Sequence, residues 1–310
     1  MKVLTGAGLA LLFALVRPPI ANVAELEPFG MLSAMVGAER ETGNPMGRGV
    51  GRAGARATLG ALGVLPFGWQ NFGLQGSVKY VGGQGSRFGA SAGPVYGWAG
   101  GKSGILIDYQ HRTLRSSDFF WISPALALYF DQLNVNLSYS QPVSSIQRKT
   151  RLDFDPDHDG DLCGHCSDII GSNEIRDIPV NKLQGTVSYF PAINLPFVTK
   201  ENLEITFGVQ VNTFAGPYKN LRGAGVGPVF GVAVMPWQNV EVTLLKASFD
   251  NRSRYSVQSG VNFFIPSANT SNTLMQLRRK YIQVDTMVSA AGPYTHAALN
   301  TRCFPNCVEP

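Results

Sequence analysis

The chain has 310 residues, of which 44% are hydrophobic and 15% charged, with 35 glycines and a formal net charge of +5. So little charge, with a mean hydropathy of +0.01, does not suit a soluble α/β enzyme of this length. Outside the N-terminus, no run of about 20 apolar residues supplies a membrane helix, and no nucleic-acid partner is expected.

Residues 1–24 read as an export signal. Met1-Lys2 is a short basic start, residues 3–16 are apolar, and Ala21 and Ala24 are small enough for cleavage, which is expected after Ala24. An exported chain meets an oxidising compartment, where cysteines form disulfides.

From residue 25 to 265 the dominant signal is alternation. Leu203, Ile205, Phe207, Val209 and Val211 form one apolar face, with Glu204, Thr206, Gly208, Gln210 and Asn212 between them. Leu133, Val135, Leu137 and Tyr139 repeat this around Asn134, Asn136 and Ser138, as do Phe72, Leu74, Val78 and Tyr80 around Gln75, Ser77 and Lys79. Period two is the mark of a strand with two unlike faces. Runs of this kind fall at 28–38, 56–65, 71–81, 87–98, 103–111, 119–130, 132–142, 182–190, 202–213, 225–236, 239–249 and 254–265. Most are long enough to cross a bilayer at a tilt. Aromatics stand at their ends: Trp69, Trp98 and Trp237 at one end, Tyr80, Phe88, Tyr109, Phe120, Tyr139 and Tyr255 at the other. Twelve such strands imply an all-β fold, a closed antiparallel transmembrane β-barrel in the bacterial outer membrane, with residues 266–310 as a C-terminal tail. The polar faces place Asp108, Asn134, Asn136, Glu204 and Gln210 towards the lumen. A soluble sandwich would turn its apolar faces inward instead.

The connections alternate between short (67–70, 99–102, 131–132, 237–238) and longer, more basic ones. Short turns belong on the periplasmic side and long loops outside. The basic loops, including Arg48, Arg52, Arg112 and Arg222, suit contact with lipopolysaccharide phosphates. In the last run, Gln258, Gly260, Phe263 and Ile265 match the polar–Gly–hydrophobic–hydrophobic spacing that a barrel-assembly machinery reads. Pro94, Pro124 and Pro228 lie inside strand runs, where the missing N–H needs a bulge or an open position, and Leu244-Leu245 breaks the alternation.

The count of about twelve strands, the Pro236-Trp237 turn and the closing run Val261-Asn262-Phe263-Phe264-Ile265 resemble the barrel of the intimin/invasin group, the inverse autotransporters. In that family the barrel precedes an exported passenger. Here the resemblance implies a translocator or surface-display barrel without a large passenger. The barrel pattern itself implies a porin-like channel for small solutes, or a lipid-anchored structural barrel with a filled lumen. An enzyme is not expected: His111, His158, His165 and His296 form no hydrolase motif, and His111 near Ser116 is proximity in sequence only.

The long connection at 143–181 carries separate chemistry. Asp155, Asp157, Asp159 and Gly160 match the opening of a calcium loop, with the Asp161 carbonyl as a further ligand. The match fails at the twelfth position, Cys166. Cys163 and Cys166 suit a local disulfide and Cys303 and Cys307 a second, although four cysteines allow three pairings. His158 and His165 with the first cysteine pair also suit zinc. In the tail, Leu274, Leu277, Tyr281, Val284 and Val288 outline an amphipathic helix carrying Arg278, Arg279 and Lys280. That cluster could enter the lumen towards Glu204 and Asp108; the alternative is a free periplasmic extension.

Overall fold

A computed structural model describes residues 26–40, 53–68, 71–83, 86–112, 117–146, 150–152, 173–178, 180–214, 225–250, 254–266, 271–284 and 294–298. Fifteen strands follow in chain order: β1 (Phe29–Arg40), β2 (Ala53–Pro66), β3 (Phe72–Gly83), β4 (Arg87–Trp98), β5 (Gly101–Arg112), β6 (Ser117–Phe130), β7 (Leu133–Ile146), β8 (Thr150–Leu152), β9 (Asn173–Ile178), β10 (Val180–Tyr189), β11 (Leu203–Phe214), β12 (Gly225–Trp237), β13 (Val240–Asp250), β14 (Arg254–Pro266) and β15 (Tyr294–Ala298). One short helix, α1 (Leu274–Arg278), lies between β14 and β15.

Twelve strands close into a barrel in the order β1-β14-β13-β12-β11-β10-β7-β6-β5-β4-β3-β2. Every neighbour is antiparallel, and β1 pairs with β14 to seal the seam from Phe29 opposite Pro266 to Arg40 opposite Tyr255. Closure satisfies the backbone groups that an open edge would leave bare in lipid. At the seam Gly260 has a steric reason: a Cβ there would stand 2.2 Å from the Ala34 carbonyl oxygen. The jump from β7 to β10 arises because β8 and β9 leave the barrel and form a separate three-stranded sheet with β15.

The faces are inverted relative to a soluble protein. Phe207 is 56% exposed on the outside of β11, while its neighbours Glu204 and Gln210 are 4% and 1% exposed on the inside. Ile105 and Ile107 on β5 point out and Asp108 points in, and Leu74, Val78 and Tyr80 on β3 point out while Gln75 is buried. Large apolar side chains around the whole outer wall, with polar groups buried within, need lipid outside; a soluble sandwich is excluded. Aromatics pair at both ends, Phe72 with Tyr96 at 4.9 Å and Tyr109 with Phe120 at 5.1 Å.

The irregular positions have local causes. Pro94 pairs with Leu74 of β3, but the ladder to β5 passes from Ala92 to Val95 without pairing Gly93 or Pro94. Pro124 is paired with Ile105 of β5 and skipped on its β7 side. Each proline thus sits where one ladder is open, which its missing N–H requires. At Leu244-Leu245 the register of β13 shifts against both β12 and β14. One extra residue is accommodated as a bulge, and both leucines face outward.

Candidate functional site in the barrel lumen

At the short-turn end the inner wall is apolar. Val64, Val95, Ala125, Ala233, Met235 and Phe264 are buried there together with Leu26, Phe29 and Phe190, and the tail residues Leu274, Met275, Leu277, Tyr281 and Ile282 complete the cluster. Phe29 stacks on Tyr281 with ring centroids 5.4 Å apart. The residues that close this end therefore come from the tail.

Helix α1 starts at Thr273 with a capping box. The Thr273 hydroxyl accepts from the Gln276 N–H, and the Gln276 side chain accepts from the Thr273 N–H. The β10–β11 connection holds this start in place. The Asn202 side-chain oxygen accepts the Leu274 N–H at 2.8 Å, and the Glu201 carbonyl accepts the Met275 N–H at 3.2 Å. Glu201 takes a φ of 65°, an uncommon conformation for a non-glycine residue. The helix is five residues long; Arg279 and Lys280 then turn the chain, so the amphipathic pattern outlines a shorter helix than its spacing suggests.

Below the polar lumen, Arg278 donates from Nε to Glu204 at 2.7 Å and from Nη2 to Glu241 at 2.7 Å, and from Nη1 to the Tyr281 hydroxyl at 2.6 Å. Burial opposes the guanidinium charge, but Glu204 and Glu241 overcome it and hold Arg278 well above its ordinary value. Burial pushes the Tyr281 hydroxyl up to about 12, so it stays neutral. Arg279 lies 5.3 Å over the Tyr129 ring and donates to Asn134 at 2.8 Å. Further up, Gln75 donates to the Ile282 carbonyl and accepts the Ile282 N–H, both at 2.8 Å.

Towards the long-loop end a second network lines the inner wall. Glu39 accepts from Arg56 at 2.8 Å and from Arg87 at 2.5 Å, with both guanidiniums almost fully buried. Ser256 joins through Arg56 at 3.2 Å. Asp108 accepts a hydrogen bond from the Ser123 hydroxyl, whose oxygen lies 2.8 Å from the Ser140 hydroxyl and can accept its proton. Between the two networks lies a cavity of about 190 Å3 lined by Ser33, Lys79, Thr186, Thr206, Lys246 and the tail residues Gln283 and Val284, among others.

The sequence-derived lumen residues are all inside the wall: Asp108, Asn134, Asn136, Glu204 and Gln210 are buried. Glu204 and Asn134 bind the tail, whereas Gln210 donates to the Phe249 carbonyl at 2.9 Å. The expected attraction between the tail and Asp108 is corrected. Asp108 lies towards the far end of β5 and is bonded to Ser123. The second carboxylate on Arg278 is Glu241, which sequence reasoning overlooked although it shares the inward parity of Thr243. Glu39, Arg56 and Arg87 were overlooked because they sit where strands merge into loops. His111 lies on the outer wall, 2.8 Å from Asp118, which also accepts from Tyr109 at 2.7 Å. Among the described residues no group of three or more His, Cys, Asp or Glu side chains is placed to hold a metal. The calcium candidates Asp155, Asp157, Asp159 and Asp161, the cysteines Cys163, Cys166, Cys303 and Cys307, and Arg48, Arg52 and Arg222 lie outside the described residues, as do the signal segment and the Arg112 side chain.

No protein-family model and no curated protein matches the chain. Solved structures do. A chain from a study of the in-meso crystallisation of membrane proteins aligns with a TM-score of 0.50 at 10% identity, over 83% of this chain and 96% of that one. The NanC porin aligns at 0.49 and 13% identity, over 74% and 98%. An outer-membrane channel from Pseudomonas putida F1 aligns at 0.48 and 11% identity, over 80% and 99%. At these identities the likeness is one of fold, and the narrower resemblance to intimin/invasin barrels finds no support beyond the strand count. The chain has the fold of an outer-membrane β-barrel.

Proposed function

We propose that the protein is a porin-like channel of the bacterial outer membrane, held shut at its short-turn end by its own C-terminal segment. The observation that carries this reading is the Arg278 guanidinium bound between Glu204 and Glu241 beneath a cavity of mixed polar and apolar lining. A lumen filled for structural purposes alone would be packed along its length. Here the tail packs against an apolar wall at one end and leaves a cavity of mixed lining above it, with Val81, Phe119 and Trp121 buried on the inner face towards the long loops. The lipid-facing belt supports the membrane setting, and short turns of such barrels belong on the periplasmic side.

The test is single-channel recording on the full-length protein and its Leu277→Asp variant. Leu277 is fully buried in the apolar stopper, and burying an unpaired carboxylate there is strongly unfavourable. The variant should release the stopper and raise conductance, while the parent stays mostly closed. A variant that shows the heat-modifiable migration of a folded barrel yet stays as silent as its parent overturns the channel reading in favour of the filled structural barrel.

A second reading, a barrel that displays its own C-terminal segment, is favoured by one observation. β15 pairs antiparallel with β9, and β9 belongs to the long connection between β7 and β10.

A further inference from the structure

The charges of the described lumen wall are unequal. Arg56, Lys79, Arg87, Lys182 and Lys246 face inward, against the carboxylates Glu39, Asp108, Glu204 and Glu241. Each carboxylate is committed within the protein. Glu39 is clamped between Arg56 and Arg87. Glu204 and Glu241 both hold Arg278, and Asp108 accepts from Ser123. Arg56 and Arg87 lie near the long loops, and Lys79 and Lys246 line the cavity below them.

Lys79 on β3 and Lys246 on β13 both line the central cavity. Around the wall they are separated by β2, β1 and β14. Inward positions on these strands include Ser33, Gly60 and Gly260. A Cβ on Gly60 would stand 2.7 Å from the Ser33 hydroxyl oxygen, so glycine keeps that stretch of wall recessed. Two ammonium groups thus flank a recess lined with hydroxyls, inside a lipid-surrounded wall that focuses the field of its charges. Lysine offers donors and no acceptor, and a hydroxyl beside it can turn its O–H towards the guest, which suits an oxyanion.

We propose that the open lumen selects anions, small solutes bearing a carboxylate or phosphate, which pass between Lys79 and Lys246. The proposal rests on the channel reading and names its substrate class. Because salt screens such charges, with a Debye length of about 10 Å at 0.1 M, the selectivity is greatest at low ionic strength.

The experiment uses full-length protein carrying Leu277→Asp, in a planar bilayer under a potassium chloride gradient. The reversal potential should have the sign of chloride over potassium. Adding Lys79→Glu with Lys246→Glu should bring the chloride-to-potassium permeability ratio below one. Lys79→Gln with Lys246→Gln should lower it less, and serves if the doubly acidic variant fails to fold. A current without selectivity, one selective for cations, or an unchanged ratio in a folded double variant overturns anion selection while leaving the channel standing. A folded Leu277→Asp protein with no current at all refutes the channel itself, and the proposal with it.

Discussion

Arg278 is the residue that ties the tail to the barrel wall. It meets two buried carboxylates that come from different strands, β11 and β13, and so ties the tail to both. Removing one partner of a buried ion pair leaves uncompensated charge, typically at a cost of about 3–5 kcal/mol. Arg278→Met should therefore loosen the stopper without unfolding the wall. Hydrogen exchange at the amides of α1 and Ile282 should rise sharply, while that of β11 and β13 stays slow. Arg278→Lys, which keeps the charge but loses the forked geometry, should fall between. Equal protection of the tail in all three proteins would mean that apolar packing alone holds it. Part of this pairing was legible in the sequence. The run Arg278-Arg279-Lys280 announced a basic tail, and Glu204 had the parity of a lumen residue. The choice of Glu241 over Asp108 was not, because parity gives the face of a strand and not the height at which a tail crosses it.

At the scale of the element, each strand is specified by the side chains it turns in opposite directions. Phe207 and Gln184 lie on the paired strands β11 and β10, one exposed outside and the other lining the cavity. Phe207→Arg should lower barrel stability by about 2–4 kcal/mol, the cost of a cationic side chain on the lipid face near mid-membrane. Gln184→Arg should cost much less, since the new charge faces the lumen cavity and not lipid. Denaturant midpoints in lipid vesicles compare the two, and equal losses would contradict the assigned faces. The strands were legible because period two survives in nearly all of them. The structure also explains the exceptions: Leu244 and Leu245 both face outward because a bulge takes up one residue. Less legible was the apolar inner face at the short-turn end. Its signs were strand ends apolar on both sides, such as Phe263-Phe264 and Val64-Leu65. These look like interruptions of the pattern until a segment is found to pack against them.

The described parts of the tail lie towards opposite ends of the molecule. Helix α1 packs at the short-turn end, and Gln283 and Val284 already line the cavity above it. β15 pairs with β9, His296 opposite Arg176, and β9 ends two positions before β10 begins, at that strand's long-loop end. From residue 284 to residue 294 an extended chain reaches at most about 33–36 Å. A strand of about ten residues crosses the membrane when tilted by about 45°, so this length suffices to traverse the lumen. The display reading accordingly predicts that the segment beyond β15 lies on the cell surface. An epitope appended after Pro310 should bind antibody on intact cells. One inserted at Gln238, in the short turn between β12 and β13, should bind only after the outer membrane is permeabilised. Releasing the stopper with Leu277→Asp tests whether the two attachments are coupled. If β15 alone anchors the outer part, surface binding persists in that variant while conductance rises. A Pro310 epitope that stays hidden until permeabilisation would return the whole tail to the periplasmic side and leave the protein a stoppered channel without display.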